Sequence, residues 1–122
     1  MSGNAIYRFA DTAVLSVSAA DAPIVVTSAE LDEQLMSTYE RLDLRPGMLE
    51  GLAGIVERRW WPQDVTFADA AAMAGAKALA EAGIDPSAVG LLIDTSVCRD
   101  HLEPSAAVDV HEQLGLGTAC LN

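Results

Sequence analysis

Apolar positions along the chain fall into distinct periods, and each period predicts an element. Across residues 5–20, Ile6, Phe9, Val14, Leu15 and Val17 predict one or two strands joined near Asp11 and Thr12. After Pro23, the β-branched run Ile24-Val25-Val26 predicts a short strand. Thr27-Ser28-Ala29-Glu30 matches a capping box: the Thr27 hydroxyl accepts from the Glu30 N–H, and the Glu30 carboxylate reaches back. Leu31, Leu35, Tyr39 and Leu42 follow at helical spacing, so a helix runs to about Leu42, and Pro46-Gly47 punctuates it.

Residues 54–61 read as an extended segment, and residues 64–69 lead into an alanine-rich helix of about 15 residues. Met73, Ala76, Leu79 and Ala80 give that helix an apolar stripe, and Gly83 stops it. Asp85-Pro86 opens a short capped turn. Residues 89–93 are continuously apolar apart from Gly90, which predicts a strand covered on both faces, as in a parallel sheet. Helix followed by buried strand predicts α/β winding. Glu103-Pro104-Ser105 begins another helix, with Val108, Val110 and Leu114 inward and Gly115 at its close. Residues 116–122 begin one more strand, which an α/β sheet would place centrally. The expectation is therefore that residues 1–122 form part of a larger fold. There is no internal repeat and no low-complexity linker.

Composition narrows the classes. The chain has 122 residues, 51% hydrophobic and 20% charged, which marks it as globular. Seven Lys and Arg stand against 18 Asp and Glu, a formal net charge of −11. Phosphate backbones and anionic membranes repel such a chain, so neither nucleic acid nor a membrane surface is expected as a partner. No apolar run approaches the roughly 20 residues of a membrane span, and no basic region precedes an apolar core near Met1. Two cysteines are too few for a disulfide scaffold, and a cytoplasmic location is expected. Aromatics at 5% with abundant alanine favour close helix packing.

Several stretches together carry a resemblance. They are Gly54-Ile55 with Glu57-Arg58-Arg59, the alanine-rich helix, residues 90–96 with Asp94-Thr95-Ser96, and Leu102-Glu103-Pro104-Ser105-Ala106-Ala107 followed by Leu114-Gly115. In this order they resemble the thiolase-superfamily condensing enzymes of the β-ketoacyl-ACP synthase III type. Within that branch the chain most resembles the OleA-type acyl-CoA condensing enzymes, with Thr95-Ser96-Val97, Arg99-Asp100 and Leu102–Ser105 as the specific part. The resemblance covers about the first third of a family member and is weakest before Pro23. It implies an α/β, five-layered αβαβα fold, of which residues 1–122 would be the N-terminal part, cut before the nucleophile elbow. It implies a dimer, no cofactor, and coenzyme A thioesters as substrates. The catalytic Cys, His and Asn would come from the remainder of the same fold, whether a C-terminal segment or a separate chain.

The implied reaction is non-decarboxylative Claisen condensation of two fatty acyl-CoAs to a β-keto acid, as in olefin or β-lactone pathways. One alternative is decarboxylative condensation with a malonyl carrier protein. Another is a non-catalytic truncated subunit that completes a homologue's acyl pocket. Hydroxymethylglutaryl-CoA synthase is a weaker relative, because its base sits in an Ala-Thr-Glu-Ser segment where this chain has Asp94-Thr95-Ser96.

Glu103 is the candidate catalytic residue. Read alone, it is a first-turn carboxylate that favours the positive end of a helix dipole. In the resemblance, the residue before this proline crosses the dimer into the partner's acyl pocket, and a carboxylate there serves as the base. Leu102 and Glu103 are then the acyl-pocket residues contributed to the partner protomer. A carboxylate in an apolar channel becomes a better base near neutral pH. Cys120 is expected to be a small buried core residue and not the nucleophile. Cys98, His101, His111 and Cys120 do not follow zinc-ligand spacing, so no metal is expected. Arg58-Arg59-Trp60-Trp61 has two readings: a phosphate clamp beside an aromatic platform, or a surface strand with its indoles packed under a loop. The synthase III adenine platform would fall at Met48 and Leu52, neither of which fits it.

Overall fold

The computed structural model describes residues 9–97 and 99–122. Strand β1 (Ile24–Thr27) runs directly into helix α1 (Ser28–Leu42), and both elements of the expected capping box are made. Glu30 N donates to Thr27 Oγ1 at 3.1 Å, and Thr27 N donates to the Glu30 carboxylate at 2.7 Å. Helix α1 ends at Asp43 in the left-handed conformation. A short helix α2 (Met48–Ala53) follows Pro46-Gly47, where the sequence pattern had indicated only a break. Strand β2 (Glu57–Trp60) then pairs antiparallel with β1, Val25 opposite Arg59 and Val26 opposite Arg58.

Helix α3 (Phe67–Ala82) starts on a second capping box, from Thr66 and Asp69, and stops on left-handed Gly83 as expected. Helix α4 (Ala106–Leu114) packs against it. The core between them consists of Ala68, Ala72 and Val110, with Ala71, Leu92 and Leu114 around it. Two expected faces are corrected here. Met73 and Val108 point outward, and the inner side of α3 is made of its smallest residues. Alanine and glycine let two helix backbones approach closely, and a Met or Leu stripe would hold them apart.

The expected strands at 89–93 and 116–122 are each reduced to a single parallel bridge, Leu91 to Leu121. Leu92 N donates to Leu121 O at 2.8 Å, and Leu121 N donates to Gly90 O at 3.1 Å. Helix α4 is the crossover between them, so the parallel βαβ winding is present in rudiment. The expected burial on both faces is not: Leu91 and Ile93 are exposed. Residues 9–22 do not pair as the expected strands either. They lie along α3 by side chains, Ser16 Oγ donating to Ala78 O at 2.8 Å and Lys77 Nζ to Ala19 O at 3.1 Å. Val14, Leu15 and Val17 face solvent. A strand needs a neighbour's backbone groups, and none of the described residues offers them to this segment. Ile6 lies outside the described residues.

Candidate active-site loop

The segment between Ile93 and α4 is built from turn chemistry. Asp94 accepts from its own neighbourhood: Ser96 N at 3.0 Å and Ser96 Oγ at 2.8 Å. This is an Asx turn, which diverts the chain out of strand geometry just past the Leu91 bridge. Asp94, Ser96, Arg99, Ser105 and Ala106 line a cleft of about 150 Å³ at the entry to α4. The Asp-x-Ser spacing was visible in the sequence and is the signal that sequence reasoning passed over.

Leu102, Glu103 and Pro104 form the outer bend of the loop. Leu102 is 78% exposed, and Glu103 is exposed beside it. Helix α4 begins at Ala106 with Ser105 as its cap, so Glu103 lies before the helix and not in its first turn. That corrects both the expected helix start and the dipole reading of Glu103. The first-turn acid is Asp109, and it faces His101 Nε2 at 3.3 Å.

The other sequence candidates lie apart from this bend. Cys120 is 8% exposed, and its Sγ contacts Leu121 O at 3.4 Å, which is the packing expected of a core thiol. His111 Nδ1 meets Asn122 Oδ1 at 2.8 Å. Cys98 lies outside the described residues. Among the described residues, no group of three or more His, Cys, Asp or Glu is arranged to hold a metal ion. Nor is any described helix long and apolar enough to cross a membrane.

The phosphate-clamp reading of Arg58 and Arg59 is corrected by the register of β2. Successive strand residues point to opposite faces, so the two guanidinium groups cannot converge on one phosphate. Arg58 Nη2 donates to Ser28 Oγ at 3.1 Å, and Arg59 Nη1 donates to Ala22 O at 3.4 Å. The segment is a largely exposed strand, as the second reading expected, with Trp60 half-exposed and Trp61 half-buried, so the indoles are covered only in part. Leu52 of α2 is fully on the surface and Met48 is half-buried.

No protein-family model matches the chain. Over 113 residues, 93% of its length, the chain is 44% identical to the acyl-CoA:acyl-CoA alkyltransferase of Xanthomonas campestris pv. campestris, of which it covers 33%. The solved structure of acetamide-bound OleA from X. campestris superposes on it with a TM-score of 0.79 at 45% identity, covering 88% of this chain and 33% of that one. Over this stretch the chain is OleA-like. Its architecture is accordingly the N-terminal part of a thiolase-like fold, which agrees with the α/β expectation. A 3-oxopimeloyl-[acyl-carrier-protein] synthase of Rhodothermus marinus is 40% identical over 84 residues, 69% of the chain and 24% of that protein. The OleA-like chain spans about a third of the length of the curated relatives it matches.

Proposed function

We propose that the protein acts in non-decarboxylative Claisen condensation of two fatty acyl-CoA thioesters to a β-keto acid, as a dimer. The observation that carries this reading is the similarity to an acyl-CoA:acyl-CoA alkyltransferase along nearly the whole chain. The exposed Leu102-Glu103 bend supports it, since a side chain that serves a partner protomer must project from its own.

The chemistry assigns each group a task. A cysteine thiolate from beyond these residues attacks the first acyl-CoA carbonyl, and CoA leaves as the thiol after taking up a proton. The second acyl-CoA has no carboxylate to lose, so its Cα proton must be removed by a base. The Glu103 carboxylate accepts that proton in the partner protomer's site, with Leu102 lining the acyl chain. The carbanion attacks the acyl-cysteine carbonyl, the cysteine thiolate leaves, and hydrolysis of the remaining thioester yields the β-keto acid and CoA. Donors for the enolate and tetrahedral oxygens come from the rest of the fold.

The similarity to a carrier-protein synthase favours a second reading, in which decarboxylation of a malonyl group supplies the carbanion and Glu103 needs no proton-accepting role. One incubation separates them. The full-length protein is given a single long-chain acyl-CoA and no malonyl donor. Release of CoA with formation of β-keto acid is expected. Product only when malonyl carrier protein is added, with loss of carbon dioxide, would establish the second reading.

A further inference from the structure

We propose that His101 is a positioning residue for Glu103, holding the Leu102-Glu103 bend in place on α4 through Asp109. The proposal deepens the condensation reading and rests on it. His101 Nε2 stands 3.3 Å from Asp109 Oδ2. Among the described residues of the 97–104 stretch, that contact is the one polar tie to the rest of the chain. The Asp94–Ser96 turn lies before the stretch, and the Ser105 cap lies after it. Leu102 and Glu103 are exposed, so apolar packing does not hold the bend either. Glu103 is two residues from His101, which keeps their Cα atoms within about 7 Å of each other. A tie at His101 therefore limits where the Glu103 backbone can go.

The other end of the tie is fixed by the core. Asp109 is followed by Val110, which is 4% exposed and packs between α3 and α4 with Ala68 and Ala72. A hollow of about 300 Å³ beside His101 is lined by three further carboxylates, Asp69, Asp100 and Glu112, and by no Lys or Arg. Asp69 is already engaged by the Thr66 N–H at 2.9 Å in the cap of α3. The His101 and Asp109 side chains stay 39% and 33% exposed, and a pair so placed adds little to stability. Its effect is on placement, and a reacting group displaced by about 1 Å can cost about a hundredfold in rate. The contact needs an N–H at Nε2, which the imidazolium and one neutral tautomer both supply.

The test follows the two half-reactions on the full-length protein. His101→Leu should lower β-keto acid formation by about tenfold to a hundredfold and leave acyl transfer to the cysteine unchanged. Asp109→Leu should do the same, and the double variant should be no slower than either single one, because both remove one contact. His101→Gln places an amide N–H near the Nε2 position and should restore most of the rate. Undiminished condensation in His101→Leu, an equal loss in both half-reactions, losses that multiply in the double variant, or no rescue by His101→Gln would each overturn the proposal. If one single variant does not fold, the other carries the comparison with His101→Gln. Glu103→Gln run in parallel separates two failures. Loss of condensation there without loss in His101→Leu removes the tie alone, and no loss in Glu103→Gln removes the condensation reading and the tie with it.

Discussion

Gly75 of α3 faces Leu114 of α4 so closely that a Cβ built on the glycine would stand 3.0 Å from Leu114 Cδ1. The contact is with the far end of a flexible side chain. An apolar cleft of about 200 Å³, lined in part by Gly75, Leu79, Leu92 and Leu114, gives that end room to turn. Alanine in a helix interior is favoured over glycine by about 1 kcal/mol. Gly75→Ala is therefore expected to hold or slightly raise stability. Gly75→Val adds two methyl groups beyond the Cβ of alanine, which Leu114 cannot clear, and should cost about 1–3 kcal/mol. Denaturant unfolding of both variants checks the pair; a large loss in Gly75→Ala would show that Leu114 is locked.

The caps make a prediction about acid. Hydrogen bonds from the Thr27 backbone N–H and hydroxyl hold the Glu30 carboxyl below its ordinary value. The same bonds from Thr66 act on Asp69, and the Ser87 hydroxyl and N–H act on Asp85. A carboxyl with a depressed folded pKa contributes stability above its unfolded pKa and loses it as pH falls through the folded one. Stability should thus be flat near neutrality and decline from about pH 5 downward. Glu30→Gln and Asp69→Asn should each flatten the decline, measured as unfolding free energy against pH. An unchanged slope in the double variant would contradict the cap assignment.

Asp43 caps α1 with φ 52°, a left-handed conformation that suits glycine. Its negative charge also sits at the unfavourable end of the helix dipole. Both effects have the same sign, so Asp43→Gly should stabilise by about 1 kcal/mol. Asp43→Val should destabilise, because a β-branched residue resists that region. Thermal unfolding of the two variants should move in opposite directions.

What could be read from the residues was what local chemistry decides. The Thr27–Glu30 box, the run Ile24-Val25-Val26 and the stop at Gly83 each depend on neighbours within a few positions, and each is where it was expected. The strands expected within 5–20, at 89–93 and at 116–122 depend on backbone partners far along the chain, and over the described residues the pattern was a guide to composition and not to pairing. The stripe on α3 was misplaced because Met73 is the more hydrophobic residue, while close helix packing selected Ala68 and Ala72. At the candidate site, the order of Leu102 and Glu103 before Pro104 was the basis of their expected role, and the structure adds only that both are exposed ahead of α4. The Asp94–Ser96 turn that aims this loop was equally local and was passed over, because the residues read as a family signature before they read as a turn.

The proposal for Glu103 meets its most direct test in the two half-reactions, followed separately on the full-length protein with Glu103→Gln. The substitution keeps the shape of the side chain and removes the base. Transfer of the first acyl group to the cysteine requires no Cα deprotonation and should proceed as in the unaltered protein. Formation of β-keto acid should fall by about 10²- to 10⁴-fold, the ordinary worth of a positioned general base. Undiminished condensation in Glu103→Gln, or an equal loss in both half-reactions, would contradict the account.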